Sequence, residues 1–229
     1  MTPQIKAIAD HALLVTFADA ISDAAHGQVL ALDAALAATP PDGMIETVPA
    51  MVNLLVSFDP LVTDHTTVAT QVRACLGRAE TTTTKGTERR VQVCYDAPFA
   101  PDLGAVASAT GLSEDAVINA HLAGDFRVLM YGFSPGYAYL SGVAEAIQVP
   151  RKPAPVRDVP AGSVIIAGPQ CLVTTLTMPT GWSIIGRSPT AILTGDPDAP
   201  FLFDVGDRVT FKRIDADTFA RLTKGASHV

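Results

Sequence analysis

Arg151 and Lys152 stand side by side in a segment with prolines at 150, 153, 155 and 160. Proline fixes φ and disfavours helix for itself and the residue before it, so the two cations sit on stiffened chain. A cationic pair held at low entropic cost suits a carboxylate or a phosphoryl oxygen; a solvated basic loop would have the same composition, and the segment alone supports both readings. Gly132-Phe133-Ser134-Pro135-Gly136 matches the G-x-S-x-G spacing of a hydrolase nucleophile elbow, with Ser134 in the nucleophile's place. Its neighbours argue against that chemistry. The residue after an elbow serine donates its backbone N–H to the oxyanion, and Pro135 has none; an elbow also leads into a helix, which Gly136-Tyr137-Ala138-Tyr139-Leu140 does not resemble. The stretch reads instead as a tight turn presenting Phe133, Tyr137 and Tyr139 as a wall, either of the core or of a ligand cleft.

Further polar and aromatic residues carry two readings each. His121 falls near the C-terminal end of a predicted helix, where the dipole favours a positive or donating side chain; it also titrates near neutrality when unperturbed, as a general base must. Gln170 can orient an amide or a carboxylate, or bond the backbone beside its turn. Trp182, after Gly181, floors a pocket or fills the core. Asp207, in the Gly206-Asp207 turn before 208–211, reads as structural. No Gly-x-x-x-x-Gly-Lys-Ser/Thr stretch occurs, and Gly168-Pro169-Gln170 is too short and proline-bound to cradle phosphates, so ATP is not held here by a Walker motif.

The elements that must position these residues fall in two groups. A strand at 11–17 precedes a helix capped by Ser22-Asp23, with Val29, Leu32 and Leu36 on one face and Pro40-Pro41 as its stop. Strands follow at 44–48 and 51–58, then a helix begun by Thr63-Asp64, carrying Val68, Val72 and Leu76 inward and ended by Gly77; a short strand fits 5–8. This predicts a small α+β domain over 1–86, with helices on one face of an antiparallel sheet. Residues 79–87 contain no apolar side chain larger than alanine and read as a linker. The second domain, 87–229, opens with a strand at 90–95 and helices at 102–109 and 113–122. From 126 onward, short apolar runs separated by turn formers predict almost nothing but strand and turn, in a closed or nearly closed β architecture.

Composition excludes several classes. With 229 residues and 48% hydrophobic content, a core is easily filled in one domain or two. A formal charge of −7, and no basic run longer than Arg89-Arg90, oppose a nucleic-acid partner. Three cysteines, Cys75, Cys94 and Cys171, without a C-x-x-C pair suggest neither a disulfide framework nor a zinc site. No run of eighteen apolar residues and no apolar leader is present, so no membrane segment and a cytoplasmic location are expected.

Between 91 and 214 the turn at 131–140, Pro150-Arg151-Lys152, Val159-Pro160-Ala161-Gly162-Ser163-Val164, the Gln170 segment, Gly181-Trp182, Ile185-Gly186-Arg187-Ser188-Pro189 and Gly206-Asp207-Arg208-Val209-Thr210-Phe211 occur in order. This order resembles the KipI family, known as subunit 1 of allophanate hydrolase or as the B-type subunit of the bacterial ATP-dependent 5-oxoprolinase, a carboxyltransferase-domain-like group. The chain departs from the family pattern at Val156, where an arginine is usual, at Thr174 and Thr175, which replace an aromatic-proline pair, and at Thr180, which replaces a glycine.

The resemblance implies an α+β N-terminal domain followed by a mainly-β cyclophilin-like barrel. It implies one subunit of an enzyme that opens the lactam of 5-oxo-L-proline with ATP and water, inactive alone. The expected catalytic residues are His121, Arg151 and Gln170, with His121 as base, since family members carry a histidine at this helix position; Phe133, Tyr137, Tyr139, Lys152, Trp182 and Arg187 are expected to bind substrate. ATP is expected as co-substrate at a site shared with or supplied by a partner, and Mg²⁺ through that partner. The partners implied are a related barrel subunit, of the C type in 5-oxoprolinase or of the allophanate hydrolase subunit 2 type, and a third, A-type subunit. Alternatives are a non-catalytic histidine-kinase inhibitor and an allophanate hydrolase subunit, although the Ser-Ser-Lys amidase arrangement of allophanate hydrolases proper is missing. Prolyl isomerase activity would rest on the barrel's shape alone.

Overall fold

Ser22 and Asp64 each accept a backbone N–H from the first turn of a helix, Ala25 N–H at 3.2 Å and Thr67 N–H at 2.8 Å, and so start the two helices of the N-terminal unit. The computed structural model describes residues 2–77 and 86–226 and divides into two compact units, Met1–Lys85 and Gly86–Val229. In the first unit, β1 (Gln4–Ile8), β2 (Ala12–Thr16), α1 (Asp23–Ala38), β3 (Met44–Pro49), β4 (Asn53–Phe58) and α2 (His65–Leu76) follow one another. The strands form an antiparallel sheet in the order β1-β2-β4-β3. Leu13 and Val15 of β2 and Leu54, Val56 and Phe58 of β4 alternate onto one face, where they pack against Val29, Leu32 and Leu36 of α1 and Val68, Val72 and Cys75 of α2. Cys75 rather than Leu76 is fully buried on α2, because with Val68 and Val72 it keeps the i, i+4, i+7 spacing of one helical stripe. The expected linker at 79–87 lies outside the described residues as far as position 85.

The second unit runs β5 (Glu88–Cys94), α3 (Leu103–Thr110), α4 (Glu114–Leu122), β6 (Phe126–Tyr131), β7 (Ala138–Ser141), β8 (Val156–Val159), β9 (Ser163–Ala167), β10 (Gln170–Val173), β11 (Met178–Thr180), β12 (Ser183–Arg187), β13 (Arg208–Ile214) and α5 (Ala216–Ala226). Seven strands close into a mixed barrel in the order β10-β7-β6-β13-β5-β12-β9, with β13 parallel to β5 and the other pairs antiparallel. Strand alternation sorts its side chains into two layers. Val91, Val93, Phe126, Val128, Val164, Ile166, Cys171 and Phe211 fill the interior together with Val106 of α3 and Val117 and Ile118 of α4. Ile165, Ala167, Leu172 and Ile184 face outward and are covered by the β8-β11 ribbon through Val159 and Met178, and by Tyr137 and Trp182.

The C-terminal helix α5 corrects the expectation of strand and turn beyond 126. Among its described side chains only Phe219 is buried, packing on Phe99 with ring centroids 4.4 Å apart. No helix among the described residues is long and apolar enough to cross a membrane.

Candidate functional site

Two successive turns build the apex at 132–137. Ser134 N–H donates to the Gly132 carbonyl at 2.9 Å, closing a γ-turn centred on Phe133 at φ 73°, and Tyr137 N–H donates to the Ser134 carbonyl at 3.1 Å around Pro135 and Gly136. Gly136 is required at φ 68°, since a Cβ there would come within 2.7 Å of Leu193 Cδ2. A positive φ is a strained conformation for phenylalanine, and it leaves the Phe133 ring 75% exposed. The chain then enters β7, not a helix, and Ser134 Oγ is buried without a hydrogen-bond partner; this is no nucleophile elbow.

From Phe133 a line of rings runs over the outer wall of the barrel. Ring centroids are 5.4 Å apart for Phe133 and Tyr137, 5.6 Å for Tyr137 and Tyr139, and 6.1 Å for Tyr139 and Trp182. The line ends where the Arg151 guanidinium lies 5.4 Å from the centroid of the Trp182 ring. Burial pushes the Tyr137 hydroxyl up to about 12, so it stays a hydrogen-bond donor at neutral pH. Trp182 is 5% exposed and its backbone N–H is accepted by Thr180 Oγ1 at 3.1 Å, a bond that the glycine usual at 180 lacks. Arg151 itself is exposed, and among the described residues no carboxylate forms an ion pair with it.

Arg151 is held in position by its neighbour. Lys152 N–H donates to the Gly181 carbonyl at 2.6 Å, and Lys152 Nζ lies 2.5 Å from Asp102 Oδ2. The same oxygen accepts Ile184 N–H at 2.7 Å, while Asp102 N–H donates to the Ile184 carbonyl at 3.0 Å. Asp102 stands at the N-cap of α3 yet caps nothing with its side chain, which is taken up by Lys152 and β12. Lys152 therefore clamps the proline-rich segment, with its ammonium paired to Asp102. Nothing in the local sequence of Asp102 pointed to this role, because its partners lie 50 and 82 residues away.

Gln170 opens β10 opposite Ala167, and directly paired residues share a face. Ala167 belongs to the outer layer, so Gln170 sits on the same outer face as the ring line, beside the Gly168 turn whose N–H donates to the Val149 carbonyl at 2.8 Å. His121 lies on the other side of this wall. It is fully buried inside the barrel, with Nδ1 2.8 Å from the Tyr95 hydroxyl, Nε2 3.5 Å from Cys171 Sγ, and Phe126 and Phe211 against its ring. The neutral imidazole satisfies this setting when Tyr95 donates to Nδ1 and Nε2–H points at sulfur. Burial lowers its pKa to about 3 and raises those of Tyr95 and Cys171, so all three are neutral. The expected base is thus enclosed on the inner side of the wall, apart from the outer face; α4 turns it inward because Val117, Ile118 and His121 form one helical stripe.

Arg187 is also separated from Arg151. It ends β12 while Trp182 precedes the same strand, a span of five residues or about 16 Å at strand rise. Its Nε–H donates to the Ala161 carbonyl at 3.2 Å and its guanidinium lies 5.8 Å from the Phe219 ring centroid. Asp207, 2% exposed, accepts from Thr87 N–H at 2.7 Å, Arg89 Nε–H at 2.8 Å and Asp204 N–H at 2.9 Å, which makes it a buried staple of the last turn. Thr174 Oγ1 accepts Ser163 N–H at 2.9 Å and donates to the Pro160 carbonyl at 2.9 Å, tying down the Val159–Ser163 turn. Among the described residues no group of three His, Cys, Asp or Glu is placed to hold a metal ion.

The closed mixed barrel and its motifs have known counterparts. The family described as carboxyltransferase domain, subdomain C and D, matches residues 3–203. The B-type subunit of 5-oxoprolinase from Bacillus subtilis (strain 168) is 35% identical over 224 residues, covering 92% of each chain. Its counterpart of the same name from Haemophilus influenzae is 30% identical over 168 residues, or 73% of this chain and 78% of its own. The solved structure of TTHA0988 superposes with a TM-score of 0.80 at 32% identity over 90% of this chain, which spans 40% of that longer one. The chain belongs to the KipI family of carboxyltransferase-type domains, the family of the 5-oxoprolinase B-type subunits.

Proposed function

We propose that this chain is a subunit of an ATP-dependent 5-oxoprolinase and that its outer barrel face, from Tyr139 to Arg151, receives the substrate. The arrangement that carries the reading is Arg151 stacked on Trp182 with no carboxylate of its own. 5-Oxoproline is a small planar-ringed lactam with one carboxylate. Arg151 fits the carboxylate through its paired N–H donors, the Tyr139 and Trp182 faces fit the ring, and Gln170 fits the lactam amide. Relatives named as B-type subunits of 5-oxoprolinase support the assignment. In this reading ATP, Mg²⁺ and the base that activates water come from partners, a related barrel subunit and a third subunit, and this chain binds and orients.

The test is reconstitution. Glutamate and phosphate release are assayed for this chain, for its partners and for the mixture; activity is expected only in the mixture, and robust turnover by this chain alone would refute the division of labour. Within the complex, Arg151→Gln is expected to raise KM for 5-oxo-L-proline about 10- to 100-fold, the scale of losing a charged hydrogen-bonded pair, with an unchanged Tm. An unchanged KM removes substrate from this face.

A further inference from the structure

We propose that the end of the barrel around Arg187 is a second binding site, selective for a small monocarboxylate with a short apolar body. An open pocket of about 260 Å³ lies there, with Gly162, Arg187, Ser188, Thr190, Ile192 and Phe219 in its wall. Gly162 shapes it: at φ 82° a Cβ would meet the Ser188 carbonyl oxygen at 2.3 Å, so only glycine lets the start of β9 and the end of β12 come this close. Arg187 is fixed from two sides, by the Nε–H bond to the Ala161 carbonyl and by the Phe219 ring. Among the described residues no carboxylate pairs with its guanidinium, so its terminal amino groups are left for a ligand. Ser188 Oγ accepts Thr190 N–H at 3.0 Å and Thr190 Oγ1 accepts Gln92 N–H at 3.2 Å, so each hydroxyl keeps its own proton to donate.

The wall therefore offers one fixed cation and two hydroxyl donors, and among the described residues no acidic one lines it. One cation balances one negative charge, which favours a carboxylate over a phosphate dianion. Ile192, Leu193 and Phe219 supply an apolar side for the body of the acid. The volume, about 260 Å³, lies below the 300–1,000 Å³ range usual for drug-sized ligands, which favours a small acid over a nucleotide. This site does not depend on the reading of the Arg151 face, and the two are tested by different variants.

Butyrate, 5-oxo-L-proline and inorganic phosphate would be titrated separately into the ¹⁵N-labelled full chain at constant ionic strength, with amide shifts followed by NMR. Butyrate is expected to move Gly162, Ser188 and Thr190 saturably. Arg187→Gln should weaken that binding at least tenfold, and so should Ala191→Glu, which puts a carboxylate on the pocket wall at an exposed position and guards against a folding defect in the first variant. Arg151→Gln should leave the butyrate shifts of Gly162, Ser188 and Thr190 unchanged. The 5-oxo-L-proline arm separates the sites, since shifts near Trp182 that are lost in Arg151→Gln belong to the other face. Butyrate shifts of Gly162, Ser188 and Thr190 that survive both pocket variants, no saturable shift in the pocket, or tighter binding of phosphate than of butyrate there would overturn the proposal.

Discussion

Asp102 and Lys152 join two parts of the barrel unit that are far apart in sequence: a single carboxylate oxygen takes the ammonium at 2.5 Å and the Ile184 amide at 2.7 Å. The clamp seats the segment from which Arg151 reaches over Trp182. In the proposed site its members act as positioning residues. Asp102→Asn keeps the shape and removes the charge. It is expected to cost about 1–3 kcal/mol of stability and to raise KM for 5-oxo-L-proline several-fold in the reconstituted complex with kcat nearly unchanged. A kcat that falls in step with Tm, at constant KM, would make the pair merely structural.

Ser134→Ala should leave activity of the complex within a few-fold of wild type, because the residue after the serine has no N–H to give an oxyanion. Its hydroxyl is buried and unpartnered, so the variant should be as stable as wild type or slightly more so. Steady-state kinetics and a thermal melt check both statements; a loss beyond about a thousandfold in a folded variant would restore the nucleophile.

His121 should control stability rather than the pH profile of catalysis. Its imidazole protonates near 6.5 in the unfolded chain but only near 3 in the folded one. Between those values the unfolded state binds more protons, so the contribution of neutral His121 is full above about 6.5 and shrinks by roughly 1.4 kcal/mol per pH unit below it. His121→Gln lacks this slope. Urea unfolding of wild type and variant from pH 7.5 to 5 should show their stability difference narrowing; a constant difference would contradict the buried, neutral assignment.

Asp207→Ala strands Arg89 beside a mostly exposed Asp204 and leaves the Thr87 and Asp204 amides without their acceptor. A loss of about 3 kcal/mol or more is expected, read as a lower urea midpoint. A loss under 1 kcal/mol would mean that the turn repairs itself.

Local signals carried much of this architecture into the sequence. Ser22, Asp64 and Ser113 cap helices where serine and aspartate precede an apolar stripe, since capping needs only residues three apart. The Pro135-Gly136 turn and the short apolar strands were legible for the same reason, and the motif order pointed to the family. Tertiary structure alone decided which side of the barrel wall each candidate occupies. Gln170 and Cys171 are neighbours in the chain, yet the two-residue period of a strand sets the first on the outer face and the second against His121 inside. Arg151 and Lys152 likewise diverge, one free to meet an anion and the other spent on Asp102, because the deciding partners, Trp182 and Asp102, come from distant strands and helices. Barrel closure brings those partners together, and no local spacing encodes it.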